Sequence, residues 1–515
     1  MVKNRSENFK TIINIVCGVI EMAAGLLVSF FLSPYIIRTI GVEANGFVSL
    51  AQNFTTYAGL VVTALNGMAI RYITIAYVQK DYKKANLYYN SVFWGNLIIV
   101  AVLLIPAALL VGKLENFIDV PGEILGDVKL LFALVFLAFF IQTGVPNWDC
   151  GTGVTNRLDR MYIPNVLLSF LRCALLIIVF SIFGAKVWYV SLVSLILKFL
   201  YLAIAAHNTH TLTPELSVHL RKPLCSMQAI KELVGSGIWN SISSAGNMLF
   251  SGLDLLVCNL SLGSTAMGIL SLSKMLPNIL LQFAETLRGA FGPELTIAYA
   301  KGDKTEIVRL LRRDIKISAV IVSLATGGII VMCDAFYNLW VPSQDAKLLQ
   351  ILTTLAILRY ITDSGIYILA NVFPTTNKVR YNAYGLIISG ICSITITLTL
   401  VRYTDLELYA VAGVSSIIAI IRSMTFLIPA TSHFLGLKWY TFYPQVAQSV
   451  LSSAVIIGIG CLVKLILPID SWIMFFVAVI IIAILGLAAN MMIVLNKDER
   501  NYLINLFKRK FFHKG

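Results

Sequence analysis

Two stretches of the chain decide its architecture: residues 40–81, IGVEANGFVSLAQNFTTYAGLVVTALNGMAIRYITIAYVQKD, and residues 262–303, LGSTAMGILSLSKMLPNILLQFAETLRGAFGPELTIAYAKGD. They align without a gap at an offset of 222 residues and share 12 identical residues in 42 positions. The identities include TIAY, which is followed in both copies by an aspartate four residues after the tyrosine. Shared apolar composition does not explain this motif in register, so the pattern predicts an internal duplication.

The composition around the repeat is that of a membrane protein. Of 515 residues, 58% are hydrophobic and only 13% are charged, and the mean hydropathy is +0.82. Soluble domains have about 45–50% apolar and about 25% charged residues. The composition therefore excludes a secreted disulfide scaffold, a nucleic-acid-binding domain and a soluble enzyme. The eight cysteines are scattered without a C-x-x-C pair, which predicts free thiols.

Apolar runs of about 20 residues, the length that crosses a bilayer core, predict fourteen spans. They are residues 11–32, 47–68, 91–112, 129–148, 162–183, 187–206, 231–257, 265–288, 315–334, 349–371, 380–401, 408–429, 446–466 and 472–495. The first run lacks a small-residue cleavage site and is interpreted as a retained helix.

Loop charge gives the orientation. With this span assignment, alternate loops and termini that include both chain ends hold 27 Lys and Arg residues, counting Lys231, Lys316 and Arg380 at the span edges, whereas the opposite loops hold 5. Cytoplasmic loops carry the excess of Lys and Arg. We therefore expect an even number of spans with both termini in the cytoplasm.

The duplication begins at span one and again at span seven, so both copies have the same orientation. The sequence thus predicts an all-α polytopic membrane protein of two parallel six-helix repeats plus two C-terminal helices. We expect an N-terminal lobe over 1–210, a C-terminal lobe over 211–435, helices 13 and 14 over 436–496, and a basic cytoplasmic tail over 497–515. Transporters built from such repeats bind substrate between the lobes and alternate between two open states.

Polar residues at helical spacing mark one face of three spans. On span one these are Asn14, Glu21, Gly25 and Ser29; on span seven they are Asn240, Ser243, Ser244, Asn247, Ser251 and Asp254; on span eight they are Ser271, Lys274, Asn278, Glu285 and Arg288. Polar contacts between helices are the alternative for each isolated residue. Because charges inside a bilayer normally face a cavity or a partner, the three stripes together predict a water-filled cavity.

The chemistry of that cavity favours an anionic cargo. Lys274 and Arg288, with Arg38 and Arg71 nearer the span ends, offer cations to a phosphate-type head group. Three acidic residues, Glu21, Asp254 and Glu285, are candidates for H⁺ or Na⁺ coupling. Arg359 and Asp363 are spaced for a structural i, i+4 ion pair. No nucleotide-binding or metal-ligating motif is present, so we expect no cofactor and no metal.

The stretch SPYIIRTIGVEANGFVSLAQNF, residues 33–54, together with residues 262–303, resembles the bacterial polysaccharide-export flippases, the Wzx-like group of the multidrug/oligosaccharidyl-lipid/polysaccharide exporter superfamily. The resemblance implies a V-shaped two-lobe exporter that flips undecaprenyl-pyrophosphate-linked sugar repeat units. It implies a cationic cavity that receives the pyrophosphate, with Lys274 as the basic residue of the eighth helix. Members of that group often carry Arg deep on the first helix, where this chain has Glu21.

Three alternatives remain at this level: a cation-coupled multidrug antiporter of the same fold, a peptidoglycan-precursor flippase, and a membrane polymerase or ligase. The short outer loops argue against the last, which is the only enzyme among them. The resemblance implies a bacterial plasma-membrane location and the lipid-linked oligosaccharide and membrane lipids as partners. A polysaccharide polymerase and chain-length machinery are further candidate partners; nucleic acid is not expected.

Overall fold

The computed structural model describes residues 2–218, 225–302 and 304–495, and within these ranges the chain is helical and contains no β-strand. The helices of the first half are α1 (Val2–Asn66), α2 (Ala69–Val78), α3 (Tyr82–Gly112), α4 (Leu125–Gly144), α5 (Cys150–Val154), α6 (Asp159–Phe183), α7 (Trp188–Leu212), α8 (Met227–Asn247) and α9 (Asp254–Leu262). Those that follow are α10 (Ser264–Ser273), α11 (Met275–Ala300), α12 (Lys304–Trp340), α13 (Ala346–Ile357), α14 (Arg359–Asp363), α15 (Val372–Thr375), α16 (Val379–Tyr403), α17 (Glu407–Arg422), α18 (Ile428–Phe434), α19 (Tyr443–Ile466) and α20 (Trp472–Val494). The predicted basic tail over 497–515 lies outside the described residues.

In the part of the chain that the structure describes, eleven helices are long and apolar enough to cross a membrane, or twelve if the bent pair α10–α11 is one span. The count is below the predicted fourteen for two reasons. The continuous segment Val16–Val78 contains both the first and the second predicted span. The tenth predicted span is broken into α13, α14, a 3₁₀ segment Ile366–Asn371 and α15. The membrane-embedded, all-helical architecture itself is confirmed.

The outer faces of several helices are suited to lipid rather than water. The side chains of Val102 on α3, Leu465 on α19 and Ile473 on α20 are 62%, 84% and 76% exposed. Large apolar side chains at such exposure are stable only in an apolar solvent. The molecule is therefore a multi-pass membrane protein.

Short polar side chains begin several of the helices. The Asp81 carboxylate accepts a hydrogen bond from the backbone N–H of Lys84 (3.0 Å) at the start of α3. The Asp345 carboxylate accepts from Lys347 N (2.9 Å) and Leu348 N (3.1 Å) before α13. Such N-caps satisfy donors that the first turn leaves unpaired, and they set the point where each loop ends.

The repeat is visible in the backbone. Gly41, with φ +87°, breaks α1, and its equivalent at the 222-residue offset, Gly263, separates α9 from α10 with φ +89°. Lys80 (φ +61°) and Gly302 (φ +72°) form a second pair at the same offset. Positive φ is uncommon and marks tight connections. Its recurrence at equivalent positions supports a duplicated helical unit.

Equivalent residues of the two copies also touch each other. A Cβ atom added to Gly46 would lie 2.9 Å from the Cα of its equivalent, Gly268. The Thr265 hydroxyl donates a hydrogen bond to the carboxylate of its own equivalent, Glu43. A residue can contact its own equivalent only beside a two-fold axis. The residues 41–46 and 263–268 therefore lie around a local pseudo-two-fold axis.

The chain divides into two compact units. One unit comprises Met1–Met248 and Cys258–Gly268; the other comprises Leu249–Val257 and Ile269–Gly515. In the first, a buried core joins α2 and α3 to α8 through Ile73, Tyr89 and Leu233. In the second, α19 and α20 pack on α12 through Met332, Ile456 and Ile482.

Candidate functional site

The most distinctive polar feature in the described spans is an ion pair between Lys274 and Asp254. The Lys274 ammonium donates to the Asp254 carboxylate and also to the backbone carbonyl of Ser251 (3.2 Å). The two side chains are 17% and 14% exposed, so the pair is largely withdrawn from the surface. From the sequence, Lys274 is predicted to bind the substrate and Asp254 is predicted to couple transport to an ion. The structure brings them together.

Two interruptions of regular helix place this pair. The seventh predicted span is α8, a π-helical turn Met248–Gly252, and α9, which begins at Asp254. Lys274 occupies the junction between α10 and α11, whose axes bend by 43°. A π turn inserts an extra residue and rotates all that follows. The predicted polar stripe therefore does not run as one straight face from Asn240 to Asp254.

The remaining predicted cavity residues do not join the pair directly. Asn240, Asn247, Asn278, Arg38 and Arg71 are all exposed. Within the described ranges, none of them forms an ion pair or a side-chain hydrogen bond to Lys274 or Asp254. The role of these five residues as substrate contacts stays a prediction.

Glu285 and Arg288 form an i, i+3 ion pair on α11, with a shortest separation of 2.5 Å. The Tyr367 hydroxyl donates to Glu285, and the Arg288 guanidinium lies over the Tyr367 ring at 5.3 Å. The Asn371 side-chain amide donates to the Arg288 carbonyl (2.7 Å). The broken tenth span therefore contributes two polar side chains that the sequence analysis did not select.

Arg359 and Asp363, predicted to form a structural pair, interact electrostatically but form no close ion pair among the described residues. Asp363 is buried and accepts hydrogen bonds from the hydroxyls of Ser423 (2.7 Å) and Thr362 (3.0 Å), and no ion pair joins it to Arg359 among the described residues. The Arg359 guanidinium instead lies over the rings of Tyr360 and Tyr367, at 5.1 and 5.6 Å. Helical spacing makes an i, i+4 pair available, but these neighbouring groups compete for both partners.

The polar stripe of α1 faces α6 in part. The Asn165 side-chain amide donates to the Glu21 carboxylate (2.7 Å), and Asn14 donates to Asn156 (3.0 Å) and accepts from the backbone N–H of Asp159 (3.1 Å). These are the helix–helix contacts that the sequence analysis weighed as the alternative. Ser29, further along the stripe, is exposed.

Glu21 lines a polar cavity of about 370 Å³ inside the first unit. The cavity is also lined by Asp149, Arg172, Lys198 and Tyr201. The Tyr201 hydroxyl donates to Asp149 (2.6 Å). Arg172 and Lys198 are not among the site residues predicted from the sequence. The signal that could have selected them is a charge within an otherwise apolar run.

A second cavity, of about 490 Å³, is almost wholly apolar and lies in the other unit. Leu276 and Phe283 on α11, Phe336 on α12 and Phe475 on α20 contribute to its wall. Leu276 is two residues from Lys274, so α11, which begins directly after Lys274, also borders this apolar space.

Comparison with solved structures assigns the fold. The inward-closed conformation of the lipid II flippase MurJ matches with a TM-score of 0.62 at 12% identity, over 98% of this chain and 100% of that chain. An inward-facing multidrug resistance MATE transporter of the MOP superfamily matches with a TM-score of 0.61 at 15% identity, over 82% and 99% of the two chains. The chain thus has the fold of MOP-superfamily transporters.

Residues 10–295 match the model of the family described as "Polysaccharide biosynthesis protein", and the chain belongs to this family. A relative from Bacillus subtilis (strain 168), "Uncharacterized membrane protein EpsK", is 24% identical over 502 residues, which is 97% of this chain and 98% of that protein. The resemblance drawn from residues 33–54 and 262–303 is therefore confirmed.

Proposed function

We propose that this protein flips undecaprenyl-pyrophosphate-linked oligosaccharide repeat units from the inner to the outer leaflet by alternating access, in a bacterial plasma membrane and with both termini in the cytoplasm. The Lys274–Asp254 ion pair is the observation that carries the proposal. The family assignment and the flippase among the structural neighbours support it.

The ion pair suits reversible recognition of a phosphate. Lys274 is a compact cation that a carboxylate already occupies, and a diphosphate carries more negative charge than Asp254. Removing two charges from water costs several kcal/mol per ion, and the mutual attraction has to offset this. A diphosphate that replaces Asp254 at Lys274 leaves the Asp254 carboxylate uncompensated. That carboxylate then favours uptake of H⁺ or Na⁺, which couples head-group binding to an ion gradient.

The other predicted residues have supporting parts in this proposal. Arg288 and the exposed Arg38 and Arg71 add positive charge along the path, and the amides of Asn240, Asn247 and Asn278 supply hydrogen bonds for sugar hydroxyls. Glu21 and Glu285, each held by a neutral donor, Asn165 and Tyr367 respectively, are further coupling candidates. No covalent step is required, so we propose a transporter and not an enzyme.

The carrier lipid also needs a place for its apolar chain. The apolar cavity beside α11 suits an isoprenoid, because Leu276 and Phe283 line it and Lys274 is close in sequence. Burial of apolar area stabilises by about 25 cal/mol per Å², but in a membrane the lipid competes. The cavity therefore serves to guide the chain while the head group moves.

A deletion strain tests the proposal. We expect loss of surface polysaccharide, with intact lipid-linked repeat units retained on the cytoplasmic leaflet, and restoration of both by the wild-type gene. Normal polysaccharide would contradict it.

The polar cavity around Glu21 and Asp149 favours a second candidate, a cation-coupled multidrug antiporter. Drug sensitivity is measured in the same strains. Raised sensitivity with normal polysaccharide would support the antiporter and shift attention from Lys274 to Glu21.

A further inference from the structure

A second group of charged residues in the described spans is not explained by the head-group site at Lys274. It contains three arginines, Arg288, Arg359 and Arg422, and two carboxylates, Glu285 and Asp363. All five belong to the unit that contains Ile269–Gly515. Arg422 ends α17 beside Ser423, whose hydroxyl donates to the Asp363 carboxylate (2.7 Å).

Neither carboxylate forms an ion pair with Arg359 or Arg422 among the described residues. Glu285 pairs with Arg288 at 2.5 Å. Asp363 is held by the hydroxyls of Ser423 and Thr362. Within the described ranges, Arg359 and Arg422 form no ion pair and donate no hydrogen bond, and the buried donors Arg359 Nε and Arg422 Nη1 have no acceptor. A buried donor without an acceptor costs about 1–3 kcal/mol, and more when it is charged.

Stacking explains only part of this arrangement. The Arg359 guanidinium lies over Tyr360 and Tyr367, and Arg288 lies over the same Tyr367 ring. A cation over an aromatic face gains about 0.5–2 kcal/mol. Stacking uses the face of the guanidinium and leaves its in-plane donors free. Those donors match the oxygens of a phosphate in a bidentate geometry.

The backbone here is also irregular. The tenth predicted span breaks between Ile357 and Val372, where the short α14 and the 3₁₀ segment Ile366–Asn371 replace a continuous α-helix. At membrane depth, irregular backbone is tolerated only where protein surrounds it or where it borders a polar cavity. Broken helices mark substrate sites in transporters. The side chains of Glu285 and Arg288 are 40% and 32% exposed, so the group is accessible at the edge that these two residues form.

We infer that Arg288, Arg359 and Arg422 form a second anion site that takes a phosphate or diphosphate group. The three arginines exceed the two carboxylates, Glu285 and Asp363, by one positive charge, so the ligand is an anion. The unpaired donors of Arg359 and Arg422 suit the oxygens of a phosphate group. Two sources supply this chemistry, the head group of a phospholipid-type carrier and free inorganic phosphate. Only the first of these rests on the proposed function.

Binding to the purified full-length protein in nanodiscs tests the inference at low salt. The free probes are inorganic phosphate and pyrophosphate, measured by titration calorimetry. The lipid probe is a polyprenyl phosphate placed in the nanodisc, compared with the polyprenyl alcohol that lacks the phosphate. Arg359→Gln and Arg422→Gln should each weaken binding by at least about tenfold, because a charge-assisted hydrogen bond contributes about 1.5–3 kcal/mol.

The matched control is Arg380→Gln. Arg380 also stacks on the tyrosine that follows it, at 5.2 Å from the Tyr381 ring, but it is exposed and lies outside the group. Arg359→Lys keeps the positive charge but loses the planar guanidinium, so it should bind phosphate weakly. Weak binding by Arg359→Lys would show that the loss in Arg359→Gln does not come from misfolding. Glu285→Gln should tighten binding because it removes a competing carboxylate.

Binding of either probe that falls in the two Gln variants and persists in Arg380→Gln supports the site, and the probe that binds identifies the source. Saturable binding that is equal in all variants, or no phosphate binding by the wild type, overturns it. Export by the same variants is scored separately. A variant that loses phosphate binding but exports normally supports the anion site and shows that flipping does not depend on it. A deletion strain that keeps its polysaccharide contradicts the proposed function alone.

Discussion

At the residue scale, two Lys–Asp pairs lie inside the second unit, and they allow a matched comparison. Lys274 pairs with Asp254, and Lys464 on α19 pairs with Asp334 on α12. Lys274 borders a π turn and a helix bend, whereas Lys464 joins two regular helices. The first pair lies where regular helix is interrupted, and the second packs two helices together.

Lys274→Ala should abolish polysaccharide export while the protein still reaches the membrane, because the head group loses its cation. Lys464→Ala should keep export per molecule and lower thermal stability, since Asp334 is left without its cation. Export and membrane abundance are measured together by polysaccharide assay and immunoblot. Equal loss of export per molecule in both variants would show that the lysine pairs are structural.

Asp254→Asn tests the other half of the pair. The neutral amide no longer competes for the ammonium, so lipid diphosphate should bind more tightly, while transport should lose its dependence on the ion gradient. The measurement is diphosphate-lipid affinity in nanodiscs together with transport at several imposed pH gradients. Unchanged affinity, or an unchanged response to the gradient, would remove Asp254 from the mechanism.

At the element scale, Gly46 and Gly268 approach each other closely within the first unit. A Cβ atom on Gly268 would lie 2.8 Å from the Val42 carbonyl oxygen, which is backbone and cannot move alone. A Cβ atom on Gly25 of α1 would have no neighbouring atom within 4 Å. The two glycines therefore differ in packing although both lie in helical segments.

Gly268→Ala should lower the free energy of unfolding by about 1–3 kcal/mol, the usual cost of overpacking. Gly25→Ala should be neutral or stabilise by up to about 1 kcal/mol, as alanine favours helix. Thermal unfolding of both purified variants in one detergent gives the comparison. A Gly268→Ala protein as stable as the wild type would mean that residues 41–46 and 263–268 are not held together in solution.

The sequence predicted these elements well where apolar periodicity dominates. The helices α6, α16, α19 and α20 follow the predicted spans closely, and the 222-residue offset aligns Gly41 with Gly263, which both have positive φ. Periodicity did not predict the break after Ile357, because it depends on tertiary partners such as Ser423 and Tyr367. Periodicity also placed Glu21 on the polar face of span one but did not predict its hydrogen-bond partner, because Asn165 lies 144 residues further along the chain.

At the scale of the whole molecule, orientation in the membrane follows from loop charge, and a native cysteine offers a test. Cys225 is exposed and lies in a loop predicted to be cytoplasmic. Cys150 is buried, which raises the pKa of its thiol to about 12 and keeps it unreactive. Cys392 and Cys461 are exposed on spanning helices.

A membrane-impermeant maleimide should label Cys225 in inverted vesicles and not in intact cells. Asp405→Cys, in the exposed loop before α17, should show the opposite pattern. Labelling is followed by mass shift on a gel. Labelling of Cys225 from outside would reverse the predicted topology and, with it, the direction of transport.

The central claim is that the molecule moves a lipid-linked diphosphate saccharide across the bilayer with Lys274 as its principal cation. The most direct measurement reconstitutes the purified protein in liposomes that carry this lipid in both leaflets, then destroys the outward-facing saccharide with an external glycosidase. We predict that wild-type protein and Lys464→Ala expose nearly all of the lipid to the enzyme, whereas Lys274→Ala and empty liposomes leave about half protected, as expected for two equal leaflets without exchange. Equal exposure by Lys274→Ala and the wild type would contradict the role of Lys274, and protection of half the lipid by the wild type would contradict the flippase.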